Sequence, residues 1–174
     1  MEQLKQQLQY KEAVLQCANI CGGVTGQYMD LLCPDKDTLR TLLESGRLRK
    51  VPVSVKGKDG EYRKITIYEL PHYTSKRRAP ELKACSAVDI CYMNDFYIKN
   101  KDHVSRWLDG DDIESIANAK GLKGDWNMPR MMYYVGDELC GVLISKKERP
   151  LRDERKQEIS KNFALDKCIE ILIP

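Results

Sequence analysis

Histidine is scarce in this chain: His72 and His103 are its only two, they lie far apart, and neither is set in a recognisable nucleophile motif. Paired metal-ligand cysteines are missing as well. Cys17 and Cys21 stand one helical turn apart with Cys33 nearby, but no C-x₂-C pair exists at matching spacing, so these thiols read as small buried hydrophobes rather than zinc ligands. The seven cysteines are odd in number and scattered through 174 residues, which favours reduced thiols over a disulfide framework. No apolar run approaches the roughly 20 residues that span a bilayer, and "MEQLKQQLQYKE" has no signal-peptide core. A soluble, cytoplasmic protein without a membrane partner is therefore expected. "GLKGDW" lacks the Lys-Ser/Thr ending of a phosphate loop, and "DGDDIE" lacks twelve-residue calcium-loop spacing, its acids being better explained as a helix cap at Asp111 or Asp112. These absences leave neither a cofactor nor a metal to expect, and there is no internal repeat.

What is present is an uneven distribution of charge. The net charge is only +3, yet residues 35–83 carry thirteen Lys/Arg against seven Asp/Glu, while the flanking segments are slightly acidic. A hydrophobic content of 42% is enough to build a core for one domain or two small ones.

Apolar spacing predicts a first helix over about twenty residues, with Leu4, Leu8, Leu15 and Ala18 inward and Tyr10, Val14, Cys17 and Cys21 beside them. Gly22 and Gly23 end it. Thr25 is placed to cap a short second helix buried through Tyr28, Leu31 and Leu32. Asp35 or Asp37 is placed to cap a third, whose inner face is Leu39, Leu42 and Leu43 and which ends at Gly46. Val51, Val53 and Val55, then Ile65 and Ile67, alternate with polar residues across "KGKDG", a hairpin with a basic tip. Pro52 cannot donate to a ladder, which puts its strand at a sheet edge. Three helices and a two-stranded wing follow winged helix-turn-helix order.

After the basic connector "HYTSKRRAPELK", with a domain boundary near Tyr73 to Pro80, Pro80 and Glu81 open a long helix to about Asp95 through Leu82, Cys85, Val88, Ile90 and Cys91. A short strand in "HVSRWL", a capped helix ending at Gly121, a hairpin turning at Gly136–Asp137, a helix from Leu151 to Ala164 and a strand "CIEILI" complete the chain. The expected fold class is α+β, with a winged helix over residues 1–74 and a second domain of α-β-β-β-α-β order over residues 80–174.

A winged helix lays its third helix in the major groove while its wing reaches phosphates. Here Lys36, Thr38, Arg40 and Thr41 fall on that helix, Arg47, Arg49 and Lys50 lead into the wing, Lys56 and Lys58 flank its tip, and Arg63 and Lys64 lie on the return strand. Arg40 is the first choice for a base edge, since a guanidinium pairs bidentately with guanine. Asp37 and Glu44 put charge repulsive to DNA on the same helix. "VTGQYMDLLCPDKDTLRTLLESGRLRKV" resembles the winged-helix pattern of a threonine-capped helix, a leucine-bearing helix, a glycine and a basic strand.

The second half resembles the PD-(D/E)XK nuclease core, and the two together resemble the replication-relaxation proteins of plasmids and conjugative elements. That nuclease family implies a Pro-Asp near its second core strand and an acid-x-Lys on its third, two carboxylates that hold Mg²⁺. This chain departs from the pattern: Pro129 precedes Arg130, Ile144 stands two residues before Lys146, and beyond Lys146 only Glu81 on the helix remains. The resemblance thus implies the fold without its chemistry, although Asp125 and Asp137 lie near enough in sequence to be considered as substitutes.

Double-stranded DNA is accordingly the expected partner, for an accessory or regulatory protein of a mobile element. Self-pairing through the first helix and a second protein of the same element are further partners to consider. The alternatives are a protein-binding adaptor with a merely solvated wing, and a metal-dependent nuclease. Trp107, Trp126, Tyr133 and Tyr134 are expected in the core rather than on a stacking platform for single strands.

Overall fold

In the computed structural model the described residues are 2–56, 59–71, 82–122 and 128–174, with the backbone alone for 82–86. Lys58, His72, the connector through Pro80, Glu81, Asp125 and Trp126 lie outside them, as do the side chains of Leu82 and Cys85. The architecture is α+β, with six helices and two sheets among the described residues. No described helix is long and apolar enough to cross a membrane.

The chain divides into two compact units, Met1–Tyr97 and Ile98–Pro174. In the first, helix α1 (Glu2–Cys21) precedes a two-residue strand β1 (Val24–Thr25), which runs directly into α2 (Gly26–Leu32). Helix α3 (Lys36–Glu44) follows, then strands β2 (Arg49–Lys56) and β3 (Tyr62–Glu69). The sheet order is β1-β3-β2, antiparallel throughout, so Pro52 does sit on an edge strand. Asp35 caps α3, accepting from the Asp37 N–H at 3.2 Å and from the Thr38 hydroxyl at 2.5 Å. Thr25 occupies the N-cap position of α2 without a side-chain capping bond; its hydroxyl lies 3.4 Å from the Asn94 side-chain oxygen instead.

Helix α4 (Leu82–Asn100) runs five residues past its expected end, and most of it groups with the first unit rather than heading the second. Its buried Asn94 explains this. The carboxamide accepts from the Thr25 N–H and donates to the Gly23 carbonyl, both at 2.9 Å, thereby satisfying the turn between α1 and α2 that the sheet leaves unpaired. Gly23 admits no side chain at that turn, since a Cβ would lie 2.7 Å from Ile67 Cγ2. Further along α4, the Tyr97 hydroxyl donates to Gln16 of α1 at 2.8 Å, and burial pushes its pKa up.

The apolar assignments need two corrections. The face of α1 that enters the core is Val14, Cys17, Ala18 and Cys21, whereas Leu4 and Leu8 are 68% and 51% exposed. On α2, Met29 and Leu32 are buried, while Leu31 is 67% exposed. A short helix buries only one stripe, and Met29 to Leu32, three residues apart, already fills it.

The second unit holds β4 (Arg106–Leu108), α5 (Gly110–Ala119), β5 (Met131–Val135), β6 (Glu138–Lys146), α6 (Asp153–Phe163) and β7 (Lys167–Ile173). Its sheet order is β4-β5-β6-β7, with β7 parallel to β6 across the α6 crossover. One face packs Leu108, Met132 and Leu143 against Ile113 and Ala117 of α5 and Ile159 and Phe163 of α6. Asp109, rather than Asp111 or Asp112, caps α5, and Asp112 completes a capping box. Gly141 lets Leu165 lie flat on this face: a Cβ there would stand 2.5 Å from Leu165 Cδ1. At the edge of the core Glu170 accepts from Lys156 Nζ and the Leu151 N–H, both at 2.7 Å, and from the Ser145 hydroxyl.

Two expectations follow. Asn94→Ala strands a buried N–H and a buried carbonyl, and should lose about 2–4 kcal/mol in denaturant titration. Asn94→Asp should lose nearly as much, since a carboxylate cannot donate to the Gly23 carbonyl. In the second unit, burial alone would push Glu170 up, but the Lys156, Ser145 and Leu151 hydrogen bonds hold its carboxyl below the ordinary 4.5. A depressed pKa gives stability that is present above pH 4.5 and lost as the pH falls further. Thermal melts of Glu170→Gln between about pH 3 and pH 7 should therefore start lower at neutrality and show a flatter acid limb.

Candidate nucleic-acid interface

Cations predicted for duplex contact come from two elements, and the structure treats them differently. On α3 the outward residues are Lys36, Asp37, Arg40, Thr41 and Glu44. Arg40 lies between two acids one turn away on either side, its Nη2 2.9 Å from Asp37 and its Nε 3.9 Å from Glu44. This exposed triad carries a net −1, so an approaching phosphate meets no free guanidinium there. Thr41 donates to the Asp37 carbonyl at 2.8 Å. Thr38 is only 3% exposed and turns inward onto Asp35, so its hydroxyl faces the cap rather than a partner.

The hairpin sorts its charges by face. In an antiparallel pair, residues directly opposite share a face and the face alternates along each strand. Lys50 opposes Tyr68, Ser54 opposes Lys64 and Lys56 opposes Tyr62, so Lys50, Lys56 and Lys64 lie on one side together with Tyr62, which is 72% exposed. The other side carries Val51, Val53, Val55, Ile65 and Ile67, along with Arg49 and Arg63. Both of these arginines are engaged. Arg49 meets the buried Glu69 through its Nε at 2.7 Å and through Nη2, and Arg63 meets Asp59 at 2.5 Å.

Eleven predicted contact residues thus separate into groups. Lys50, Lys56 and Lys64 form a single exposed row about 20 Å long, judged from six strand steps between Lys50 and Lys56. Lys36 and Arg47 are exposed on α3 and in the loop after it, and none of these five cations enters an ion pair among the described residues. Arg40, Arg49 and Arg63 are held by carboxylates; Thr38 and Thr41 bond within α3. Lys58 lies outside the described residues. Tyr62 is the addition that charge counting misses, and the pairing register alone finds it.

In the second unit, Pro129 is buried and Arg130 exposed just before β5, Ile144 is half-buried on β6, and Lys146 is exposed at the end of β6. Glu81 and Asp125 lie outside the described residues. Asp137 sits in the β5–β6 turn, at the opposite end of the hairpin from Arg130 and Ile144 and about 20 Å away along six to seven strand steps, so it cannot complete a site there. Among the described residues no three His, Cys, Asp or Glu side chains are grouped so as to hold a metal ion. Trp107 and Tyr133 are buried with ring centroids 5.2 Å apart, and Tyr134 packs against the α5–α6 core, so these aromatics belong to the interior. Burial pushes the Tyr133 hydroxyl up to about 12. The six described cysteines form no disulfide, and burial raises Cys33, Cys91, Cys140 and Cys168 above the ordinary thiol value, which suits packing rather than nucleophilic attack.

Comparison with family models, with curated proteins and with solved structures finds no match to this chain.

Proposed function

We propose that this is a cytoplasmic DNA-binding accessory or regulatory protein, of the kind mobile elements use in replication, transfer or transcription control, which meets duplex DNA chiefly through its hairpin. The observation that carries the proposal is the row of Lys50, Lys56 and Lys64 on one exposed face, with the aromatic Tyr62 among them. A single-signed row of free ammonium groups suits backbone phosphates, whereas α3, with Arg40 held by Asp37 and Glu44, is poorly charged for a first encounter. Support for a winged helix comes from the element order: helix, short strand, two helices and two strands, with β1 paired on β3. Recognition in this reading is wing-led. Arg40 reaches a base only by exchanging two carboxylates for the duplex.

For the second unit, the β4-β5-β6-β7 order with a parallel last strand supports a nuclease-like core. Arg130 and Ile144 at the would-be metal corner support a non-catalytic one, since neither side chain binds Mg²⁺. The rival reading, a protein-binding adaptor, draws on the electrically mixed surface of α3 and on exposed Leu31.

Fluorescence anisotropy of a labelled duplex across a salt series decides between them. If Lys36, Arg47, Lys50, Lys56 and Lys64 each neutralise one phosphate, log Kd should change with log salt at a slope magnitude of about 4–5, and alanine at Lys50, Lys56 and Lys64 together should remove about 3 of it. An adaptor would show no duplex affinity even at low salt. Separately, Asp37→Asn with Glu44→Gln frees Arg40 and should tighten duplex binding about 3- to 10-fold at moderate salt. Unchanged affinity in that variant would place α3 away from the DNA.

A further inference from the structure

Helix α1 carries two stripes that do not coincide. At about 100° per residue, Leu4, Leu8 and Leu15 fall within about 40° of one another, and their centre lies about 100° round the axis from the Val14–Cys17–Ala18–Cys21 face that enters the core. Folding of the chain therefore leaves the leucine stripe uncovered: Leu4 and Leu8 are mostly exposed, and Leu15 is half-buried. Leu15 also borders an open groove of about 530 Å³ whose apolar side is Leu15, Leu70 and Pro71 and whose polar rim is Gln16, Asn19 and Arg47.

The spacing of this stripe is that of a coiled-coil seam, with Leu8 and Leu15 at one seam position and Leu4 and Lys11 at the other. A parallel pair would bring two Lys11 ammonium groups together at the seam, which is repulsive. An antiparallel pair avoids this. With Leu4 of each helix opposite Leu15 of the other, Lys11 faces Leu8 and only its aliphatic stem needs to be covered. The same register brings the flanking exposed residues Lys5 and Glu12 opposite each other, twice, by symmetry. It also aims Leu4 at the groove beside Leu15 and Leu70.

We infer that α1 is a homodimer interface, in which a second copy of this chain lies antiparallel along the Leu4–Leu8–Leu15 stripe, seats its Leu4 in the groove beside Leu15 and Leu70, and forms two Lys5–Glu12 ion pairs. Charge complementarity fixes the occupant: a sequence that answers both the leucines and the Lys5/Glu12 order is α1 itself, reversed. A seam this short buries less than the roughly 1,200–2,000 Å² of a stable complex, so the dimer is a weak one.

Sedimentation equilibrium of the full chain, with reductant present to keep the thiols apart, tests this from about 10 to about 500 μM. The wild-type mass should rise from 20.1 kDa towards twice that value over this range. Leu4→Glu with Leu8→Glu should remain monomeric with an unchanged melting curve, because neither side chain belongs to the core. Lys5→Glu and Glu12→Lys should each weaken the dimer about 3-fold or more, and the two together should restore it. A wild-type protein that stays monomeric throughout, a dimer that survives both glutamates, or a charge swap without recovery would each overturn the inference.

Discussion

The two-residue period of the β2–β3 ladder is the constraint on which the first unit depends. With Val53 opposite Ile65 and Ser54 opposite Lys64, every valine and isoleucine of the hairpin faces one way and Lys50, Lys56 and Lys64 the other. A slip of one residue would turn the lysines inward and the valines into water, so the core and the cation row are set by one and the same register. Ile67, 2% exposed, anchors that register from within, opposite Thr25 of β1 and beneath the close turn at Gly23. Glu69 anchors its far end. A carboxylate only 4% exposed requires a partner, and Arg49 directly opposite supplies it at the cost of being available to anything else.

Much of this fold is legible in the sequence, because strong local signals agree with it: the alternation of Val51–Val55, the Asp35 cap, the Gly136–Asp137 turn. What escapes has physical reasons. β1 is two residues long, too short to show a period, and exists only because β3 offers an edge. Leu4, Leu8 and Leu31 obey helical spacing yet stay exposed, since spacing reports that residues share a face and not which face the body covers. The extra turn of α4 and its grouping with the first unit follow from Asn94 and Tyr97, polar groups whose partners are 69 to 81 residues away in sequence. No local pattern announces such a pair.

The candidate site shows the same division. That Asp37 and Glu44 oppose Arg40 can be read from i±3 and i±4 spacing, and both contacts are present. That Arg49 and Arg63 leave the cation row is also implied by parity, but it becomes visible only when the charges of 35–83 are assigned to faces instead of being pooled. A segment excess of six positive charges describes a long-range field; the groups available to a phosphate are the few that no carboxylate has already claimed.

In the second unit, the packed core and the charged surface draw on different residues. Leu108, Met132, Leu143, Ile159 and Phe163 hold the sheet to α5 and α6, and Gly141 with Leu165 closes the contact with β7; no charged group at the end of β5 is needed for either. Glu170 is bound into this framework: it accepts from Lys156, Ser145 and the Leu151 N–H, joining β6, β7 and the approach to α6. It is a structural carboxylate, saturated by donors from its own unit. Neither Arg130, exposed just before β5, nor Ile144, half-buried on β6, is among the residues of that core, so the stability of this unit says nothing for or against catalysis.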